Sequence, residues 1–434
     1  MENERRPDKR WLWWRGAIVG SFLLFLFASP WPWDFPTPFE RFHLSVFLVW
    51  LLGWPPVTWK RLGLCLLGAI PLAALGIVRL FLWDGLVGSQ IRVFPIQEIL
   101  LCLPWSWSFM VVLGALGSLL FRGMRRVTAG RHRAIYVFAT LFLMIYLGTV
   151  YFVLIASLLR FKIPVRGACP FPHEDVTFPA SDGRILKGWF VPSKDPNPVG
   201  YAMVFHCASG NRSQTGRFSR YLYERGFSLL LFDHRGHGES QGHLSTLGPL
   251  ETRDVAGAIE FLKTKGPIPA GSILCAGESM GAIMSLIAGG LYPEFGPVLA
   301  HASYCDLPSA GKDLVGKFLG PFTQPVVGLT WRLAQWITGA DYRRDSPIRQ
   351  IGKISPNPLF LSHGTLDFLI PFPHALRLFE TAGEPKTFFA VEDLYHIQGP
   401  FGRDGYEEAV LGFIDEAVKK MPLIHTSAVV PGTR

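Results

Sequence analysis

The sequence predicts two units of different class: an N-terminal α-helical transmembrane bundle over residues 1–160, and a C-terminal α/β domain over residues 161–434. Three observations carry this reading. First, 434 residues exceed what one domain of roughly 150 residues holds. Second, a mean hydropathy of +0.26 with only 17% charged residues is too apolar for a disordered chain or an ordinary soluble enzyme. Third, from about residue 172 the long apolar runs give way to short β-branched and aromatic runs alternating with helical ones. The charge follows the same division. Residues 1–159 hold 15 Lys/Arg against 7 Asp/Glu, whereas residues 160–434 hold 27 against 26. Basic excess beside apolar runs is membrane-flanking charge, and a nucleic-acid binder would carry it on the folded domain instead.

In the first unit, a span needs about 20 mostly apolar residues. Five runs qualify: 11–28, 43–59, 62–83, 96–121 and 134–159. The second is the weakest, because Gly53-Trp54-Pro55-Pro56 interrupts it. Counting it places Arg5, Arg6, Lys9, Arg10 and Arg15, then Lys60 and Arg61, then the cluster from Arg122 to Arg133, all on one side. The expected arrangement is therefore a multi-pass protein of a bacterial inner membrane, with a cytoplasmic N-terminus and the second unit on the extracytoplasmic side. A cleaved signal peptide ending near Ala28-Ser29 is the rival for the first run, but further spans follow it. Arg79, the one charge well inside a run, lies near that run's end, where its side chain can snorkel. The unit reads as an anchor or scaffold rather than a transport path. The cysteines Cys65, Cys102, Cys169, Cys207, Cys275 and Cys305 form no C-x-x-C pair, so neither a zinc site nor a dense disulfide framework is expected, and one bridge among the last four stays open.

In the second unit, strands are expected at 175–179, 185–191, 201–206, 228–232, 272–276, 298–303, 359–362 and 387–390. Helices are expected at 213–225, 250–265, 280–291, 373–382 and 405–420. Two opening strands with no helix between them make a hairpin, and the rest reads as βαβ units building a mostly parallel eight-stranded sheet. Residues 306–353 interrupt the alternation; with an apolar helical pattern at 325–338, they read as a lid insertion.

The sharpest chemical signal is Gly277-Glu278-Ser279-Met280-Gly281, between a predicted strand and a predicted helix. In that context the glycines permit a tight strained turn, which exposes Ser279 Oγ at a helix N-terminus. The plain alternative is an ordinary strand-to-helix turn. A serine nucleophile needs a base, and the base an orienting acid. Candidate acids are Asp367 and Asp306, each following a predicted strand, and Asp306 also suits a helix cap. Candidate bases are His396, after the final strand, and His363 and His374. Phe232-Asp233-His234-Arg235-Gly236-His237-Gly238-Glu239-Ser240 carries two histidines at spacing three, but no ligand partner at a matching offset; a structural loop is expected there, not a metal site.

From about Pro172 to Met421 these motifs resemble the α/β-hydrolase superfamily, in its serine-aminopeptidase-like branch of esterases, lipases, thioesterases and peptidases. The superfamily resemblance rests on the Ser279, Asp367, His396 order and on His363-Gly364-Thr365-Leu366-Asp367, and the branch on the loop from Phe232 to Ser240 together with Asp182-Gly183-Arg184-Ile185-Leu186-Lys187-Gly188-Trp189. It implies Ser279 as nucleophile, His396 as base and Asp367 as its orienting acid. It further implies an oxyanion hole from the N–H groups of Met280 and of Ala208, in His206-Cys207-Ala208-Ser209-Gly210-Asn211-Arg212-Ser213. Cys207 stands where the common pattern has glycine, which puts the second donor in doubt. No cofactor and no metal are implied. A small-molecule or lipid acyl substrate is expected, without nucleic acid. A membrane-anchored serine hydrolase is the leading expectation. An acyltransferase on the same triad and a non-catalytic membrane scaffold are the alternatives. An Asp nucleophile would be needed for dehalogenation, and Ser279 occupies that position.

Overall fold

The computed structural model describes residues 162–422 except 166, 209, 321, 322, 397 and 398, together with Phe142, Leu143, Tyr146, Leu147, Thr149, Val150, Val153, Leu154, Leu158 and Arg160. The runs expected to span at 11–28, 43–59, 62–83 and 96–121 lie outside the described residues. Of the run at 134–159, the described residues from Phe142 to Leu158 are helical. Among the described residues no helix is long and apolar enough to cross a membrane. The chain divides into two compact units, Met1–Tyr151 and Phe152–Arg434.

The second unit is built on one eight-stranded sheet. Its strands are β1 (Glu174–Pro179), β2 (Ile185–Val191), β3 (Gly200–Phe205), β4 (Phe227–Phe232), β5 (Ile273–Glu278), β6 (Phe295–His301), β7 (Leu359–Gly364) and β8 (Lys386–Val391). They lie in the order β1-β2-β4-β3-β5-β6-β7-β8. β1 and β2 form the expected antiparallel hairpin, β2 pairs antiparallel with β4, and β3 to β8 run parallel. Every residue of β3, β4, β6 and β7 is buried, as continuous apolar runs in a sheet covered on both faces require.

Helices supply those covers. They are α1 (Gly216–Glu224), α2 (Thr252–Lys263), α3 (Met280–Leu291), α4 (Leu307–Leu319), α5 (Thr323–Thr338), a short turn at Pro347–Gln350, α6 (Pro373–Thr381) and α7 (Tyr406–Lys420). Alternation along β4 shows the two layers. Leu230 and Phe232 pack with Val255, Ile259 and Leu262 of α2 and with Leu286 of α3. Leu229 and Leu231 pack with Phe218 and Leu222 of α1 and with Tyr406, Val410 and Ile414 of α7. The order reverses at β3, which lies between β4 and β5. In open α/β sheets ligand crevices form at such a reversal, beyond the carboxyl ends of the strands.

Among the described residues the insertion between β6 and β7 contains two long helices, α4 and α5, where the sequence pattern shows one, followed by short helical turns at Pro347–Gln350 and Ile351–Lys353. Gly311 hides α4 from pattern reading, yet packing requires it: a Cβ there would stand 2.9 Å from Trp331 of α5. The insertion's core joins Leu307, Ala310, Val327 and Trp331 to Ile283 and Ile287 on α3.

Candidate active site

β5 ends at Glu278 and α3 begins at Met280, so Ser279 alone makes the turn between them. Its backbone sits at φ 55, ψ −117, a region that costs a non-glycine residue of order 1–3 kcal/mol. The flanking glycines have steric reasons. A Cβ on Gly277 would lie 2.4 Å from the Gly281 carbonyl carbon, and one on Gly281 would lie 2.1 Å from the Phe205 oxygen. Ser279 N–H donates to His301 O at 2.9 Å, which holds the turn against β6.

The structure brings Ser279, His396 and Asp367 together. Ser279 Oγ and His396 Nε2 are 2.9 Å apart, and His396 Nδ1 and Asp367 Oδ2 are 2.7 Å apart. The other oxygen of Asp367 accepts from Leu369 N–H at 3.0 Å and from Ile370 N–H at 2.8 Å. Burial opposes ionisation of Asp367, but hydrogen bonds from His363 and His396 outweigh it and hold the carboxyl well below the usual carboxylate range. With Asp367 ionised, His396 donates through Nδ1 and offers Nε2 as acceptor to the serine hydroxyl.

The rival residues have other partners. Asp306 caps α4, one oxygen accepting from Ser309 N–H at 2.8 Å and the other from Ser309 Oγ at 2.7 Å. His363 stands behind the acid, with Nε2 2.8 Å from Ile370 O and 3.2 Å from Asp367 Oδ2. His374 Nδ1 accepts from Cys305 N–H at 3.2 Å, and its Nε2 lies 3.0 Å from Asp313 Oδ2 on α4.

Met280 opens α3, so its N–H is among the first-turn amides without an intrahelical acceptor. Ala208 follows β3, whose Phe205 is in register with Gly277 of β5, so the loop begins beside the serine turn. Cys207 O accepts from Gly210 N–H at 3.0 Å and from His206 Nδ1 at 2.8 Å. His206 Nε2 accepts from His234 N–H at 3.0 Å, which fixes its tautomer; burial, with His237 and His234 nearby, keeps this ring neutral. Cys169, Cys207, Cys275 and Cys305 are all free thiols, and Cys207 is only partly buried.

The charged groups of the loop after β4 are held by partners elsewhere in the unit. Asp233 accepts from Arg212 N–H at 2.7 Å and from Glu239 N–H at 2.9 Å, and pairs with the Arg212 guanidinium. Arg235 donates to Asp254 at 2.8 Å and to Asp182 at 2.9 Å. His237 lies between Arg235 O at 2.9 Å and Ala208 O at 3.0 Å, and burial lowers its pKa to about 4. Among the described residues no group of His, Cys, Asp and Glu is arranged to hold a metal ion.

Residues 196–346 match the model of the serine aminopeptidase S33 family, a stretch that contains Ser279 and ends before Asp367 and His396. The uncharacterized protein YfhR of Salmonella typhi is 30% identical over 262 residues, 58% of this chain and 85% of that protein. The chain belongs to the serine aminopeptidase S33 family of α/β-hydrolases. Further relatives include the uncharacterized protein YqkD of Bacillus subtilis, 27% identical over 55% of this chain and 77% of its own. A polyketide transferase of Stachybotrys chlorohalonatus is 25% identical over 54% of this chain and 93% of its own. Among solved structures, a Pyrococcus furiosus esterase aligns with a TM-score of 0.48 at 20% identity, covering 61% of this chain and 98% of that one.

The sequence does not reveal the Leu369 and Ile370 amides that hold Asp367, and it gives Asn211, within the run from His206 to Ser213, no role of its own. The Asn211 side chain accepts from Ser213 N–H at 3.0 Å and donates to Ile163 O at 3.0 Å. A contact 48 residues apart in sequence has no local signature.

Proposed function

We propose that the protein is a serine hydrolase cleaving an ester, thioester or amide through an acyl-enzyme, with an apolar acyl group as its preferred substrate. The observation that carries this reading is the continuous chain from Ser279 Oγ through His396 to Asp367, ending at a serine on a strained turn. Ser279 Oγ attacks the carbonyl carbon as His396 Nε2 takes the hydroxyl proton. The oxyanion is held by the N–H groups of Met280 and Ala208. His396 then gives its proton to the leaving alcohol, thiol or amine. Water repeats the sequence on the acyl-enzyme and releases the acid. Leu366, Phe368 and Tyr395, exposed beside the acid and the base, favour an apolar substrate. The apolar, basic-flanked runs of residues 1–159 favour a membrane anchor.

Transfer of the acyl group to a second alcohol or amine is the alternative, and the likeness to a polyketide transferase gives it weight. Product analysis with an added acceptor separates the two. Fluorophosphonate labelling of full-length wild type, Ser279→Ala and His396→Ala tests the reading as a whole. Labelling should be lost in both variants, and undiminished labelling of Ser279→Ala would sink it.

A further inference from the structure

Ala208 is flanked by two anchors. One is His206 at the end of β3. The other is Asn211, 1% exposed, whose side-chain amide uses its full hydrogen-bonding capacity. Its Oδ1 accepts from Ser213 N–H at 3.0 Å and Ser213 Oγ at 2.7 Å, capping the turn Arg212–Gln214. Its Nδ2 donates to Ile163 O at 3.0 Å and to Pro164 O at 3.3 Å. Capping the turn needs only the acceptor. The two donors serve a different purpose: they tie the loop to the segment by which the chain enters this unit.

That segment is itself held against the surroundings of the site. Arg160 N–H donates to His243 O at 3.0 Å and Ser245 N–H to Leu158 O at 2.9 Å. Lys162 Nζ donates to Ser240 O at 2.6 Å, on the loop after β4. Leu154 and Leu158 pack in one cluster with Ile283 and Ile287 of α3, the helix that begins at the nucleophile turn. The described residues between 158 and 164 therefore touch both sides of the oxyanion site, through α3 and through Asn211.

We propose that Asn211 is a positioning residue for acyl transfer, and that the entry segment acts as a strap holding the Ala208 loop at the distance the oxyanion needs. This deepens the serine-hydrolase reading and rests on it. A donor displaced by about 1 Å can cost on the order of 100-fold in rate while substrate binding is kept.

The test uses the full-length chain. Asn211→Asp keeps both acceptors of the turn and loses both donors to the strap. Lys162→Met removes the Ser240 tie without touching Asn211. Rates on a short acyl ester are normalised to fluorophosphonate-titrated sites, and inhibition by a trifluoromethyl ketone, which forms a tetrahedral oxyanion adduct, is measured beside them. Asn211→Asp should lower kcat by about 10- to 100-fold with KM nearly unchanged, and weaken the ketone by the same factor. Lys162→Met should show a smaller loss of the same pattern. Wild-type kcat per titrated site in Asn211→Asp, or a loss carried by KM, would overturn the proposal. If Asn211→Asp does not fold, Lys162→Met decides alone: a parallel loss in kcat and ketone affinity supports the strap, and no change in either overturns it. Undiminished activity of Ser279→Ala would instead remove the hydrolase reading beneath it, which is a separate result.

Discussion

Two loop systems at the carboxyl edge of the sheet hold nearly the same chemical groups and use them in opposite ways. The loop after β4 carries Asp233, His234, Arg235, His237 and Glu239, and its charges close on partners within the protein. The turns after β7 and β8 carry Asp367 and His396. There the chain of hydrogen bonds runs from backbone amides through the carboxylate and the imidazole and stops at Ser279 Oγ. Composition therefore does not separate a network closed on charged partners from one that ends on a serine hydroxyl. What separates them is the last link. In the first it is a backbone carbonyl, a guanidinium or a carboxylate; in the second it is the hydroxyl of Ser279, on a turn with φ of 55.

The largest expected effect breaks the second system at its middle. Asp367→Asn keeps the shape but can stabilise the wrong imidazole tautomer, and should lower kcat/KM by about 10⁴-fold with the fold retained. Ester hydrolysis by titrated enzyme measures it, and a loss below about tenfold would place the orienting role elsewhere. The next effect strikes the first system. Asp254→Ala takes from buried Arg235 its fully buried partner, leaving only the partly exposed Asp182. Unfolding free energy in denaturant should fall by about 3 kcal/mol, because a buried guanidinium is left short of a counter-charge. The rate per titrated site should stay near wild type. An Asp254→Ala protein that kept its stability but lost its rate would erase the distinction between the two systems.

The sequence made the sheet and the motifs that carry Ser279 and Asp367 legible for the same reason: both are written locally. Buried strands appear as apolar runs between glycines, and G-x-S-x-G and H-G-x-x-D each fit within five residues. Where tertiary packing sets the pattern, local signs mislead. The sequence places the start of β6 at residue 298, whereas the strand starts at Phe295, because Gly296-Pro297 resembles a turn. The strand continues through it by a register shift against β5 between Ile273 and Cys275, and Gly296 is required where a Cβ would lie 2.3 Å from Gly271 O. α4 was missed for a similar cause, since Gly311 is small for the sake of Trp331. Asp306 and Asp367 each follow a strand, and H-G-x-x-D singles out Asp367 while Asp306 suits a helix cap. The fold adds the partners: Ser309 occupies both oxygens of Asp306, and His396 reaches Asp367.

One further carboxylate, Glu278, belongs to neither system and sharpens the contrast between them. It is the last residue of β5, in register with His301 of β6 and adjacent to Ser279. Burial pushes its pKa up to about 7, above the ordinary glutamate value of about 4.3. The sign follows from linkage. A carboxyl that is harder to ionise in the folded state adds nothing unfavourable below about pH 4.3, where both states are protonated. As pH rises towards 7, the unfolded chain releases the proton first, so the wild type loses stability across that window. Glu278→Gln cannot titrate and is spared that loss. Its Tm relative to wild type should therefore climb between pH 4 and pH 8, by about 2–4 °C for each kcal/mol involved. Scanning calorimetry of both proteins across that range measures the difference. A difference that stays flat with pH would mean that Glu278 ionises as easily in the fold as outside it, with its charge compensated like those of the loop after β4.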